Sequence, residues 1–141
     1  VKASAQDQDI IIKAAAVADY RPLKAADEKM KKKDGELTIA LERTEDILAY
    51  LGAHRREGQF ICGFSMETEH MLENSRVKLE KKNMDMIVAN NLRQEGAGFG
   101  TDTNVVTLLT REETLELPIL SKEEVADRLL TFILNKLGKK A

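Results

Sequence analysis

The chain has 141 residues, 43% of them hydrophobic, enough for one buried core and with no compositional basis for disorder. Its 22 lysines and arginines against 24 acidic residues give a formal net charge of -2, so nothing draws it generally to nucleic acid or anionic lipid, and any polyanion site must be local. The single cysteine, Cys62, excludes an internal disulfide and fits a reducing cytoplasm, and no apolar run reaches membrane-spanning length.

The chain opens at Val1, without an initiator methionine and only a few residues before a strand of buried type, which reads as a fragment of a longer protein. Residues 9–17 are a continuous apolar stretch rich in isoleucine and alanine, as a central parallel strand buried on both faces requires. Tyr20-Arg21-Pro22 ends it, because proline removes a donor and biases its predecessor away from helix. Lys24, Lys29, Lys31, Lys32 and Lys33 then make a basic loop that closes on the turn pair Asp34-Gly35. Leu37, Ile39 and Leu41 alternate with polar or small residues, predicting a half-buried strand and one arm of a hairpin. Thr44 is a candidate helix cap, with Glu45 and Asp46 near the positive end of the helix dipole and Ile47, Leu48 and Leu51 turned inward.

Residues 60–64 read as a second buried strand, a long polar helix follows to about Lys82, and residues 85–89 make a third strand ending in Asn90-Asn91. Strand, helix, strand is the rhythm of a parallel sheet. After a glycine-bearing loop at 96–104, residues 105–110 and 114–120 predict an antiparallel hairpin around Arg111-Glu112-Glu113. Ser121 and Glu124 form a capping box for a last helix with Val125, Leu129, Phe132, Ile133 and Leu137 on one face. The fold class is α/β and Rossmann-like: a mostly parallel sheet with flanking helices and a hairpin near the C-terminus.

Asp19 follows the first strand, at the sheet end where open α/β folds collect ligands; a turn aspartate satisfied by local backbone is the plainer reading. The cluster 29–33 can close over phosphates or remain a solvated charge run. Lys78 and Lys82, four apart, share a helix face and can converge on one phosphate chain, with Lys81 beside them; a solvated helix surface is the plainer reading. Phe64 can stack on a base or sit in the core, and Cys62 belongs to the core. His54 and His70 have no partner at metal-ligand spacing. No dinucleotide-binding glycine motif, phosphate-binding P-loop, nucleophile elbow or zinc cluster occurs. The residues alone imply a phosphate-ligand site on an α/β sheet and nothing more specific.

Seven stretches in order extend it: Ala14-Ala-Ala-Val-Ala-Asp-Tyr-Arg21, Lys29-Met-Lys-Lys32, Thr44-Glu-Asp-Ile-Leu48, Gly63-Phe-Ser-Met-Glu-Thr68, Lys78 to Lys82, Asp85-Met-Ile-Val-Ala-Asn90 and Gly98-Phe-Gly-Thr-Asp-Thr-Asn104. Together they resemble phosphopantothenate-cysteine ligase, the ligase half of the bacterial coenzyme A flavoprotein. The resemblance implies joining of 4'-phosphopantothenate to cysteine with CTP and magnesium through an acyl-cytidylate. It implies that Ala15 and Ala16 border the nucleotide, that Asp19 and Lys29 contact it, and that Glu45, Asp46, Ile47 and Leu48 line its pocket. Phe64, Lys78 and Lys82 complete that pocket, and Lys29, the catalytic candidate, rides a flap closing over the intermediate. Metal ligands are not assigned by it. FMN belongs only to a decarboxylase domain, if one is fused upstream.

The family's leading strands and its Ser-Asn-containing glycine-rich segment, which holds phosphopantothenate, would precede Val1. On this reading residues 1–141 are the C-terminal part of one ligase domain, inactive alone, with the strand from Ile10 left as an exposed edge. A cytoplasmic homodimer is expected, the hairpin at 37–41 being a candidate contact, with neither nucleic acid nor membrane as partner. Two other classes stay open: a nucleotide-binding or dimerisation module without catalysis, and nucleic-acid binding through 29–33.

Overall fold

The structure is a computed structural model and describes residues 1–24, 28, 35–67, 70–91 and 102–138. After a short 3-10 helix, Lys2–Asp7, the elements are β1 (Ile10–Lys13), β2 (Tyr20–Pro22), β3 (Leu41–Arg43), α1 (Ile47–Ala53), β4 (Phe60–Glu67), α2 (Met71–Lys81), β5 (Met86–Asn91), β6 (Thr103–Asn104), β7 (Val106–Thr110), β8 (Thr114–Glu116), β9 (Leu120–Ser121) and α3 (Lys122–Lys136). A five-stranded sheet has the order β1-β4-β5-β7-β8. Its first three strands are parallel, with Ile11 opposite Ile61 and Gly63 opposite Ile87. β7 and β8 then run antiparallel, forming the hairpin expected from residues 105–120.

Strands buried on both faces explain the apolar runs at residues 60–64 of β4 and 86–89 of β5. Because side chains alternate, Phe60, Cys62, Met86, Val88, Val106 and Leu108 pack against Val125, Leu129 and Ile133 of α3 on one face. On the other, Ile61, Ile87, Ala89 and Leu109 meet Leu48 and Leu51 of α1 and Leu79 of α2. Helix α2 needs only a narrow seam, Met71, Ser75 and Leu79 at spacings of four, and is mostly polar elsewhere, with Leu72 and Val77 exposed. At Gly63 a Cβ would lie 2.8 Å from Leu48 Cδ1 and 3.0 Å from Met84 Sδ, so the missing side chain lets α1 settle on β4. The capping box of α3 is formed, with Ser121 Oγ accepting from Glu124 N at 3.2 Å and Glu124 Oε2 accepting from Ser121 N at 2.8 Å.

Four expectations are corrected. β1 stops at Lys13 rather than running to residue 17 and is half-buried rather than covered on both faces, while its place at the edge of the described sheet, beside β4, is the edge position expected for it. Tyr20–Pro22 does more than end a strand: it pairs with β3 as an antiparallel ribbon, Tyr20 opposite Arg43, with proline at the strand end where its lost donor is harmless. The strand expected at 37–41 begins only at Leu41, and Leu37, Ile39 and Leu41 are exposed rather than half-buried, since among the described residues no layer covers them. The cap of α1 is Asp46, which accepts from Ala49 N at 3.0 Å, because Thr44 is engaged elsewhere. Thr44 Oγ1 donates to Ala18 O at 2.5 Å, and its N–H to Asp19 O at 2.8 Å. No helix among the described residues is long and apolar enough to cross a membrane.

Candidate functional site

The parallel strands β1, β4 and β5 end on the same side of the sheet, and there a cleft of about 480 Å³ opens. That volume lies within the roughly 300–1,000 Å³ of small-molecule sites. One wall is the segment after β1, where Lys13 turns its ammonium back onto Ala15 O at 2.8 Å. Ala14, Ala15, Ala16 and Val17 present backbone and small side chains there, so a ligand can approach the main chain closely. The two Thr44 hydrogen bonds tie this wall to the start of α1, bringing Asp19 alongside Glu45, Asp46, Ile47 and Leu48.

The crest of β4 forms the floor. Phe64 and Met66 lie on the α3 face and Ser65 on the other, all three lining the cleft. Behind them α2 contributes Lys78 and its C-cap Lys82, one turn apart; Lys78 Nζ donates to Ser65 Oγ at 3.4 Å, and Lys82 Nζ lies 2.9 Å from Asp46 Oδ2. Asp46 thus caps α1 and pairs with a cleft lysine at once. Burial pushes its carboxyl up, but the Ala49 N–H and the Lys82 ammonium together outweigh this and hold it below the ordinary 3.8. Glu45 is turned toward Lys2, with which it forms an ion pair.

Four cationic residues, Lys13, Arg43, Lys78 and Lys82, and three acidic ones, Asp19, Glu45 and Asp46, therefore line the cleft. Past Arg43 and Lys82 the cleft adjoins a second hollow of about 590 Å³ that adds Lys81 and Asn74. The arrangement suits an extended polyanion lying along α2 with an apolar or planar group at the sheet crest. Among the described residues no three His, Cys, Asp or Glu side chains gather as a metal cage.

The structure brings Ala15, Ala16, Asp19, Glu45, Asp46, Ile47, Leu48, Phe64, Lys78 and Lys82 to this one cleft. Lys29, the expected flap residue, lies outside the described residues, as do 31–33, Thr68 and 98–101. Sequence reasoning did not single out Lys13, Arg43, Ser65, Met66 or Asn90, which also line it. A lysine or asparagine at the carboxyl end of an apolar strand was the available signal for Lys13 and Asn90. Arg43 had none, since its place depends on the β2–β3 pairing. Cys62 is in the core as expected, fully enclosed, with burial and the Asp85 charge pushing its thiol up to about 12. His54 stacks on Tyr50 at 4.1 Å, outside the cleft.

A profile of the DNA/pantothenate metabolism flavoprotein C-terminal domain matches residues 1–137. The coenzyme A biosynthesis bifunctional protein CoaBC of Bacillus subtilis (strain 168) is 49% identical over 123 residues, 86% of this chain and 30% of that protein. A protein of an unknown prokaryotic organism, named cysteine/cysteine sulfinic acid decarboxylase, is 43% identical over 128 residues, 90% of this chain and 36% of that protein. The chain thus spans about a third of the length of these curated relatives. A crystal structure of the C-terminal domain of CoaBC superposes with a TM-score of 0.76 at 38% identity, covering 97% of this chain and 59% of that one.

Proposed function

The chain belongs to the DNA/pantothenate metabolism flavoprotein C-terminal domain family, and on that premise we propose that it is the C-terminal part of one phosphopantothenate-cysteine ligase domain acting in coenzyme A biosynthesis with CTP. The observation that carries the reading is the convergence on one cleft of ten residues spread from Ala15 to Lys82, with two lysines one turn apart at the end of α2. The names and coverage of the CoaBC relatives support it.

In the proposed reaction the phosphopantothenate carboxylate oxygen attacks the α-phosphorus of CTP and expels pyrophosphate. The cysteine amine then attacks the acyl carbon, loses a proton and releases CMP. Lys78 and Lys82 would hold the phosphate chain, where charge grows on the departing pyrophosphate and fixed cations act most strongly. Phe64 offers a face to the base, and Ala15 and Ala16 leave main-chain groups open to the ligand. A magnesium ion carried in by the nucleotide would shield phosphate charge, and Asp19 or Asp46 would be its protein contact. Lys29 is proposed to close over the intermediate and keep water from it.

The protein is read as a cytoplasmic homodimer, FMN being confined to any fused decarboxylase domain. Support for the contact comes from the exposed apolar side chains on the β2–β3 ribbon, Tyr20 and Leu41, and on the segments that adjoin it, Leu23, Leu37 and Ile39. The test is pyrophosphate release by the full-length protein with CTP, phosphopantothenate and cysteine. Lys82→Ala is expected to raise the KM for CTP about tenfold, as loss of a charged contact does. Turnover indifferent to CTP refutes the reading, and CTP binding without pyrophosphate release favours a nucleotide-binding module instead.

A further inference from the structure

Two buried side-chain oxygens have no hydrogen-bond partner among the described residues, Ser75 Oγ and Asn90 Oδ1. Ser75 is wholly enclosed in the seam between α2 and the sheet, away from the cleft lining. Asn90 lines the cleft. Native proteins leave few buried acceptors unpaired, because the lost water contact is not returned. An unpaired acceptor at the carboxyl end of a strand, where open α/β sheets take their ligands, is explained by a donor that arrives with the ligand.

The position of Asn90 is set by the sheet. Its backbone is held between Met66 of β4 and Val106 of β7. Alternation along β5 puts its side chain on the face of Val88, the α3 face, together with Phe64 and Met66. Lys78 and Lys82 come from α2 on the opposite face. The cleft is thus divided by the sheet crest, with cations on one side and, on the other, a half-buried aromatic ring, a thioether and one acceptor.

We propose that Asn90 Oδ1 accepts a hydrogen bond from an N–H group of the ligand, orienting its uncharged part while the lysines hold its phosphates. This rests on the ligase reading above, whose substrates offer three such groups: the exocyclic amine of cytosine, an amide of phosphopantothenate and the amine of cysteine.

The test is steady-state kinetics of the full-length protein with Asn90→Ala and Asn90→Asp, each variant also checked by thermal melting. Asn90→Ala is expected to raise the KM of one substrate about tenfold, the effect of one buried hydrogen bond, while kcat stays within about twofold. The substrate that moves identifies the N–H; if it is CTP, the preference for CTP over UTP falls by the same factor. Asn90→Asp keeps an acceptor in place and recovers most of the loss. The inference is overturned if all three KM values of Asn90→Ala stay within about twofold of wild type, if Asn90→Asp is as impaired as Asn90→Ala, or if kcat alone falls alongside a lower Tm. A wild-type protein without CTP-dependent ligation sinks the ligase reading and this inference together. An active wild type with a neutral Asn90→Ala sinks this inference alone.

Discussion

Replacing Asp85 by alanine tests how the parts that carry the cleft are joined. Arg55 Nη2 lies 2.8 and 3.1 Å from the two Asp85 oxygens, and Asp85 Oδ2 also accepts from Ile61 N at 2.7 Å. Arg55 Nη1 donates to Asn83 O at 3.2 Å and its Nη2 to Gln59 O, so one guanidinium gathers the end of α1, the start of β4 and the turn between α2 and β5. Asp85→Ala leaves that guanidinium without its counter-charge and the Ile61 N–H without an acceptor. Hydrogen bonds to charged groups contribute about 1.5–3 kcal/mol each. The two side chains are 22% and 28% exposed, so water replaces part of what is lost and the net cost is set at about 3 kcal/mol. With an unfolding entropy of about 2.1 cal/mol/K per residue, a chain of 141 residues should melt about 10 °C lower. Urea and thermal melts followed by circular dichroism measure it. Arg55→Ala breaks the same ion pair, so the double variant should lose at least about 1 kcal/mol less than the sum of the singles. A loss under about 1 kcal/mol for Asp85→Ala, or simple additivity, would refute the reasoning.

Ile133, fully buried under the sheet, should cost about 3 kcal/mol when cut to alanine, read from urea midpoints at unchanged slope. Asp46 has a folded pKa below its ordinary 3.8, so its stabilising contribution is complete above that value and fades as the pH falls through the folded value. Asp46→Asn, which keeps the cap oxygen, should therefore lose less stability than wild type between about pH 4 and pH 2 in acid melts. Cys62, with its thiol pushed up to about 12, should resist thiol reagents in the native state at pH 8 and react on unfolding; fast native labelling would show the core open there.

Much of this layout is legible along the chain. Apolar runs mark β4 and β5 because parallel strands are covered on both faces, and the Ser121–Glu124 pair marks the start of α3 because its hydrogen bonds span three residues. Lys78 and Lys82 share a helix face by their spacing alone. Helix starts are less secure: Thr44 and Asp46 are both sound local caps, and the choice fell to Asp46 because Ala18 O, distant in sequence, takes the Thr44 hydroxyl. The apolar alternation at Leu37, Ile39 and Leu41 was similarly ambiguous, since a period of two shows that one face is apolar and not what covers it.

Local spacing thus decided which side chains lie together on one helix or strand, because that depends only on backbone period. Which elements face one another was decided by strand pairing and by close approaches such as that at Gly63, contacts between residues far apart in sequence. Those contacts place Arg43 and Asn90 on the same cleft as Lys82, and no periodicity along the chain carries that information.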